Sequence, residues 1–214
     1  MASSLEQIYG SHHATRRGAG FVLLGDDRGA FLKNAVGTGK KVLDIGCRDG
    51  ALTTSFAEGN TVLGLDIDSE ALARAKKDVG IETRQVDLNG DWDVEPHSFD
   101  AVVAAEIIEH LYYPDVVFRK VESVLKPGGV FAGTVPNAFS LKNRARLLMK
   151  KKKGTPLEDP THINHFTVAE LRGLLEKHFD DVRVAGYGRY DWLARTFPQQ
   201  FAFGLAWSAQ GPKR

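Results

Sequence analysis

The sequence predicts an α/β fold built on an open, mainly parallel sheet, and three observations carry that expectation. Residues 42–45 (VLDI), 61–65 (TVLGL) and 100–105 (DAVVAA) are near-continuous apolar runs, as parallel strands buried on both faces require. Helical patterns separate these runs, and the first run enters a glycine turn, KKVLDIGCRDG, at 40–50. Strand and helix in alternation imply right-handed crossovers and helices on both faces of the sheet.

The elements follow in order. Residues 1–39 are expected to form an N-terminal arm or lid, since 1–27 show no clear periodicity. The first strand ends at Asp44 and Ile45, and the second at Leu65 and Asp66. Ser69 is positioned to cap a helix over 70–77 (EALARAKK), and a third strand ends near Val86. A run at 130–135 (VFAGTV) is opened by the turn Lys126-Pro127-Gly128-Gly129. Thr167 caps 168–179 (VAELRGLLEKHF), with Glu170 completing a capping box. Residues 182–188 (VRVAGYG) and 201–207 (FAFGLAW) read as two late strands, antiparallel at one edge. Residues 137–160 break the α/β rhythm and read as a basic insertion or cap. The whole, 1–214, is expected to be a single domain.

Composition narrows the function classes. The 214 residues are 43% hydrophobic and 26% charged with a net charge of +1, ordinary for a globular chain and pointing to no partner by bulk charge. The single Cys47 excludes an internal disulfide and fits a reducing cytosol. No apolar run reaches the roughly 18 residues of a membrane span, and the first residues lack a secretory core. A cytoplasmic protein is expected.

In an open α/β sheet, ligands bind beyond the carboxyl ends of the strands. Gly46 there lets the backbone pass close to a ligand, and Gly50 lets helix and strand approach. Asp66 lies 22 positions after Asp44, at the end of the second strand, where a carboxylate accepts ribose hydroxyls. Asp87 and Leu88 reach the same edge from the third strand. A dinucleotide site wants G-x-G-x-x-G and room for a pyrophosphate. This loop is G-C-R-D-G, with Asp44 and Asp49 placed to repel an anion, and no tyrosine has a lysine four residues later. A sulfonium nucleoside suits a turn bordered by carboxylates, which favours S-adenosylmethionine over a nicotinamide dinucleotide.

The motifs VLDIGCRDG, GLDIDSEAL, VDL at 86–88, SFDAVVAAEIIEHL, VLKPGG and HINHFT, in this order over about residues 40–180, resemble class I S-adenosylmethionine-dependent methyltransferases. The resemblance implies a Rossmann-like, doubly wound seven-stranded sheet in the order 3-2-1-4-5-7-6, with the last strand antiparallel. It also implies that Asp44, Gly46, Cys47 and Gly50 meet the methionine part of the cofactor. Asp66 would hold the ribose, Ile67 and Leu88 would lie against the adenine, Asp87 would accept from its amino group, and Glu106 would line the cleft. Arg48 departs from the family, which usually has a second glycine there. Arginine tolerates most backbone conformations except positive φ, so Arg48 is expected to point to solvent or pair with Asp49. The contrary expectation is a reshaped loop that binds cofactor weakly.

Methyl transfer to a hydroxyl needs a base or a metal for the proton. If 106–110 is helical, Glu106, Glu109 and His110 share a face, and His162 could converge on it. His110 and His162 are the candidate catalytic residues, with His162 preferred over His165. Similar E-x-x-E-H patterns occur in ubiquinone-pathway O-methyltransferases and in small-RNA terminal 2′-O-methyltransferases, where magnesium is implicated. A divalent metal is thus an alternative to a plain hydrogen-bond network, and RNA an alternative acceptor to a small or lipid-linked hydroxyl compound. Residues 139–153 carry seven positive charges and no negative ones. They read as a helix with solvated lysines, or as a contact for an anionic membrane or phosphate groups. No aromatic platform accompanies them, which disfavours nucleic acid. The segment from Val135 also resembles MetW-type proteins, which implies a different possibility: a binding partner of a biosynthetic acyltransferase.

Overall fold

A computed structural model describes residue 6, residue 20 and residues 22–213; the rest of the expected arm (1–5, 7–19 and 21) lies outside the described residues. The chain runs α1 (Gly25–Val36), β1 (Lys41–Ile45), α2 (Thr54–Ala57), β2 (Thr61–Asp66), α3 (Ser69–Arg74), β3 (Glu82–Gln85), β4 (Phe99–Ala105), α4 (Pro114–Val124) and β5 (Leu125–Pro136). It continues through α5 (Leu141–Leu148), α6 (Val168–Glu176), β6 (Phe179–Tyr187), α7 (Asp191–Thr196), α8 (Pro198–Phe201) and β7 (Gly204–Pro212). The seven strands form one sheet in the order β3-β2-β1-β4-β5-β7-β6. β1 to β5 pair in parallel, and β7 pairs antiparallel with both β5 and β6. This is the Rossmann-like sheet that the motifs imply.

Alternate residues of β4 feed two cores. Val102 and Ala104 join Val117, Phe118 and Val121 of α4 and Leu171 and Leu175 of α6. Ala101 and Val103 join Leu32 and Val36 of α1, Phe56 of α2 and Val62 of β2. Val117, Phe118 and Val121 have no solvent exposure, and burying each stabilises the fold by about 1.5–3 kcal/mol. Helices therefore cover both faces of the sheet, and the loops at the carboxyl edge are left to build a site.

The structure adds a helix to the arm region and to the insertion, and corrects two local readings. α1 shows that the arm region 1–39 ends in a helix, anchored by buried Arg28, Leu32 and Val36. The cap of α3 is Asp68, whose side chain accepts from the Ala71 N–H at 3.0 Å, while Ser69 is the first helical residue. The expected strand 201–207 begins three residues late: Phe201 closes α8, and β7 runs Gly204–Pro212. The bracket that displaces it is Asn137, which donates to the carbonyls of Pro198, Gln199 and Ala202 and folds 198–202 against the end of β5. The insertion 137–160 contains α5, capped by Ser140. The Thr167–Glu170 capping box is present.

Candidate active site

The carboxyl ends of β1, β2 and β4 open into a cavity of about 220 Å³, closed on one side by α1. Asp44, Gly46, Cys47, Asp66, Ile67, Asp87, Leu88 and Glu106, all expected at the cofactor, line it. Gly50 does not line it. A Cβ on Gly50 would stand 2.8 Å from Val79, so its absence lets the loop pack on the helical turn after α3. At Gly46 (φ 74°) a Cβ would fall 2.0 Å from Ile107. The space that a side chain at Gly46 would need is thus filled by Ile107, while the Gly46 backbone itself lines the cavity.

The first turn is a net of backbone N–H groups and carboxylates. Asp66 accepts from the Arg48 N–H at 2.8 Å and the Asp68 N–H at 2.9 Å. Asp49 accepts from the Gly20 N–H at 2.8 Å, and Asp44 from the Thr53 hydroxyl at 2.6 Å. Arg48 adopts φ 52°, the left-handed region expected to exclude it. Its backbone bond to Asp66 holds it there, and its guanidinium meets Asp49 at 3.8 Å. Arg48 thus pairs with Asp49, as one reading expected, yet it lies along the cavity wall rather than in solvent. Burial, reinforced by the nearby Asp66 charge, raises the Asp44 pKa to about 7. Burial, with Asp44 and Asp66, also pushes the Cys47 thiol well above its ordinary range. Cys47 is therefore a neutral packing residue.

Two residues of this site had no motif to announce them. Arg28 of α1 is buried, lines the cavity, and donates from Nε to the Thr134 hydroxyl at 3.2 Å. With Arg48, which is paired to Asp49, it is one of two arginines among four cavity-lining aspartates: Asp44, Asp49, Asp66 and Asp87. Only its place on the inner face of α1 could have revealed it, and that helix has a weak apolar stripe. Tyr187, at the end of β6, donates to Glu106 at 3.4 Å. Burial, then the Glu106 charge, holds the phenol well above its ordinary pKa, so it remains a donor.

The expected helical face at 106–110 does not form. Glu106 has φ 57° and turns to Tyr187, and only Ile108–His110 makes a single 3₁₀ turn. Glu106 therefore leaves the proposed cluster of two glutamates and two histidines. Glu109, His110 and His162 remain together, with one ligand atom from each within 4.8 Å of the others. The two imidazoles meet edge to face, centroids 4.7 Å apart. His110 Nδ1 faces the Thr161 carbonyl at 2.9 Å, and His162 Nδ1 faces the Pro156 carbonyl at 3.0 Å. A carbonyl only accepts, so each Nδ1 carries the proton and Nε2 is the basic nitrogen of the neutral ring. His110 lines the cavity; His162 stands behind it. His165 lies outside this group, and burial followed by the Lys152 charge holds its pKa below the ordinary value.

The cavity fits an S-adenosyl nucleoside: carboxylates ring its first turn, as a positively charged sulfur compound requires, and Arg28 supplies one cation for an amino-acid carboxylate. The methyltransferase domain family matches residues 21–178 of this chain. Among curated proteins, the ubiquinone biosynthesis O-methyltransferase of Pseudomonas fluorescens (strain SBW25) is 38% identical over 111 residues, 47% of this chain and 48% of that protein. That of Pseudomonas entomophila (strain L48) is 38% identical over 113 residues, 48% and 49% of the two chains. The chain thus matches about half the length of these curated relatives. Among solved structures, a SAM-dependent methyltransferase from Archaeoglobus fulgidus superposes with TM-score 0.70 at 19% identity, over 96% of this chain and 99% of that one. Phosphoethanolamine N-methyltransferase 2 of Haemonchus contortus, solved with S-adenosyl-L-methionine, gives TM-score 0.61 at 18% identity over 86% and 52%. With the sheet order, the carboxylate-ringed first turn and the family match in agreement, the chain belongs to the methyltransferase domain family, the class I S-adenosylmethionine-dependent methyltransferases.

Proposed function

We propose that the chain methylates a hydroxyl oxygen on a small or lipid-linked acceptor, with His110 receiving the acceptor's proton. The observation that carries this reading is that His110 lines the cofactor cavity while its Nδ1 faces a backbone carbonyl, which directs basicity to Nε2. The printed name of the curated relatives, O-methyltransferase, supports oxygen as the methylated atom.

When bound, S-adenosylmethionine supplies a methyl group on positively charged sulfur, ready for in-line displacement. Asp66 accepts the ribose hydroxyls, since each of its oxygens receives one N–H and retains acceptor capacity. Asp44 draws the ammonium of the methionine part, and Arg28 pairs with its carboxylate. Ile67 and Leu88 flank the adenine, and Asp87 accepts from its amino group. His110 takes the hydroxyl proton at Nε2, and His162 holds the His110 ring edge-on. Alignment and exclusion of water supply the rest.

A second reading is favoured by the cluster itself. One atom each from Glu109, His110 and His162 fits a divalent cation, and both imidazoles hand their second nitrogen to a carbonyl, as ligand histidines do. A cation there would bind the acceptor oxygen and ease loss of its proton. Transfer of labelled methyl to a hydroxylated acceptor pool separates the readings. Under the first, His110→Ala lowers kcat about 10²–10⁴-fold at unchanged S-adenosylhomocysteine affinity, and EDTA has no effect. Loss of turnover with EDTA, restored by magnesium, supports the cation. Wild-type rates in both His110→Ala and His162→Ala remove the proton-transfer proposal. No turnover combined with co-purification of an acyltransferase supports the binding-partner role instead.

A further inference from the structure

Every exposed large apolar side chain among the described residues lies on the arm or on a segment at the carboxyl edge of the sheet, where the cavity opens. The densest group is on α5 and on the α7–α8 hairpin, with Leu148 86% and Trp192 69% exposed. Met149, Phe197, Phe201 and Phe203 are exposed beside them. Phe197 and Phe201 meet edge to face, centroids 6.4 Å apart, and both remain exposed.

The two segments are one preformed surface. Asn137 donates to the carbonyls of Pro198, Gln199 and Ala202, and Asn143 of α5 donates to the Asn137 carbonyl at 2.8 Å. These asparagines are buried, so the basic helix and the aromatic hairpin share a bracket. Lys142, Arg144 and Lys150–Lys153 are exposed on this surface, and Arg189 and Arg195 flank the aromatics. Its acids are engaged: Asp191 pairs with Arg195 at 2.8 Å, and Glu158 accepts from Gly154.

Exposed tryptophan, phenylalanine and leucine among lysines are the composition of an interfacial membrane contact. A protein partner would be expected to cover a patch depleted of lysine at its centre. We infer that this edge docks on an anionic lipid bilayer, with α5 and α7–α8 against the headgroups and the cavity mouth turned toward the bilayer. The surface is separate from the methyl-transfer residues, so its test is independent of turnover.

The test is co-sedimentation of the full chain with vesicles of phosphatidylcholine, alone or mixed with phosphatidylglycerol. Binding to the mixed vesicles is expected, weakened by added salt. Replacing Lys150, Lys151, Lys152 and Lys153 by glutamine should reduce it by roughly 10²- to 10³-fold, since each lysine near an anionic surface adds about fivefold. Trp92 and Trp207 are buried, so a blue shift of tryptophan emission on binding reports Trp192. That shift should vanish in Trp192→Phe while sedimentation persists. An unchanged S-adenosylhomocysteine affinity and melting temperature show that each variant is folded. The inference is overturned by equal or absent binding to both vesicle types, by unchanged binding of the folded lysine variant, by tighter binding to single-stranded RNA than to vesicles, or by a dimer that buries Trp192 and excludes vesicles.

Discussion

The Tyr187 hydroxyl donates to Glu106 at 3.4 Å, joining the end of β6 to the end of β4 at the cavity wall. Arg28 and Thr134 lie in the same buried region, linked by their own hydrogen bond. Tyr187→Phe leaves Glu106 without this donor, and cofactor affinity should fall by roughly 1 kcal/mol. Calorimetric titration with S-adenosylhomocysteine reads the effect, and an unchanged dissociation constant would remove Tyr187 from the positioning of the site.

Arg48 at φ 52° should carry backbone strain. Arg48→Gly and Arg48→Ala both delete the guanidinium, yet only glycine relieves the left-handed conformation, which costs other residues about 1–2 kcal/mol. Glycine at 48 should therefore be more stable than alanine by roughly 1 kcal/mol in urea unfolding. Equal stability would mean that the loop relaxes out of the left-handed region.

Asp44 links the site to pH. Its folded pKa is about 7, against 3.8 for an ordinary aspartate. Raised in the folded state, the group favours folding below pH 4, and that contribution is lost as pH rises from about 4 to about 7. Affinity for the cofactor's ammonium has the opposite slope, because the ammonium prefers the ionised carboxylate. Binding of S-adenosylhomocysteine should strengthen from pH 6 to pH 8 by up to about tenfold per unit below the pKa, and Asp44→Asn should flatten the profile. A wild-type profile already flat over that interval would contradict the assignment.

His178 offers a control for stability without catalysis. Its ring is buried against Phe118 of α4, with Asp115 and Glu122 each 3.2 Å from a ring nitrogen. His178→Ala should lower unfolding free energy by about 1–3 kcal/mol and leave a carboxylate less well paired. Cofactor affinity of the folded fraction should not change.

The parallel core was legible because strands buried on both faces must be apolar throughout, as 42–45 and 100–105 are. The cofactor edge was legible because strand ends and a glycine turn fix where Asp44, Asp66 and Asp87 arrive. What was not legible depends on contacts between distant segments. Glu106 shares helical spacing with Glu109 and His110, but a positive φ turns it to Tyr187, 81 positions away in sequence. The apolar run at 201–203 reads as strand until Asn137 ties its neighbours into a turn. Arg28 had no partner in sequence, since Thr134 lies 106 positions on. Capping also misled by one residue, because aspartate and serine serve equally and Asp68 and Ser69 are adjacent.

The most direct test is a titration of purified wild-type protein and Asp66→Ala with S-adenosylhomocysteine. Saturable one-to-one binding by the wild type, weaker by about 1–3 kcal/mol in Asp66→Ala, is the expected result. No binding by the wild type, or equal affinity in the two proteins, would contradict a cofactor held by carboxylates over the first turn.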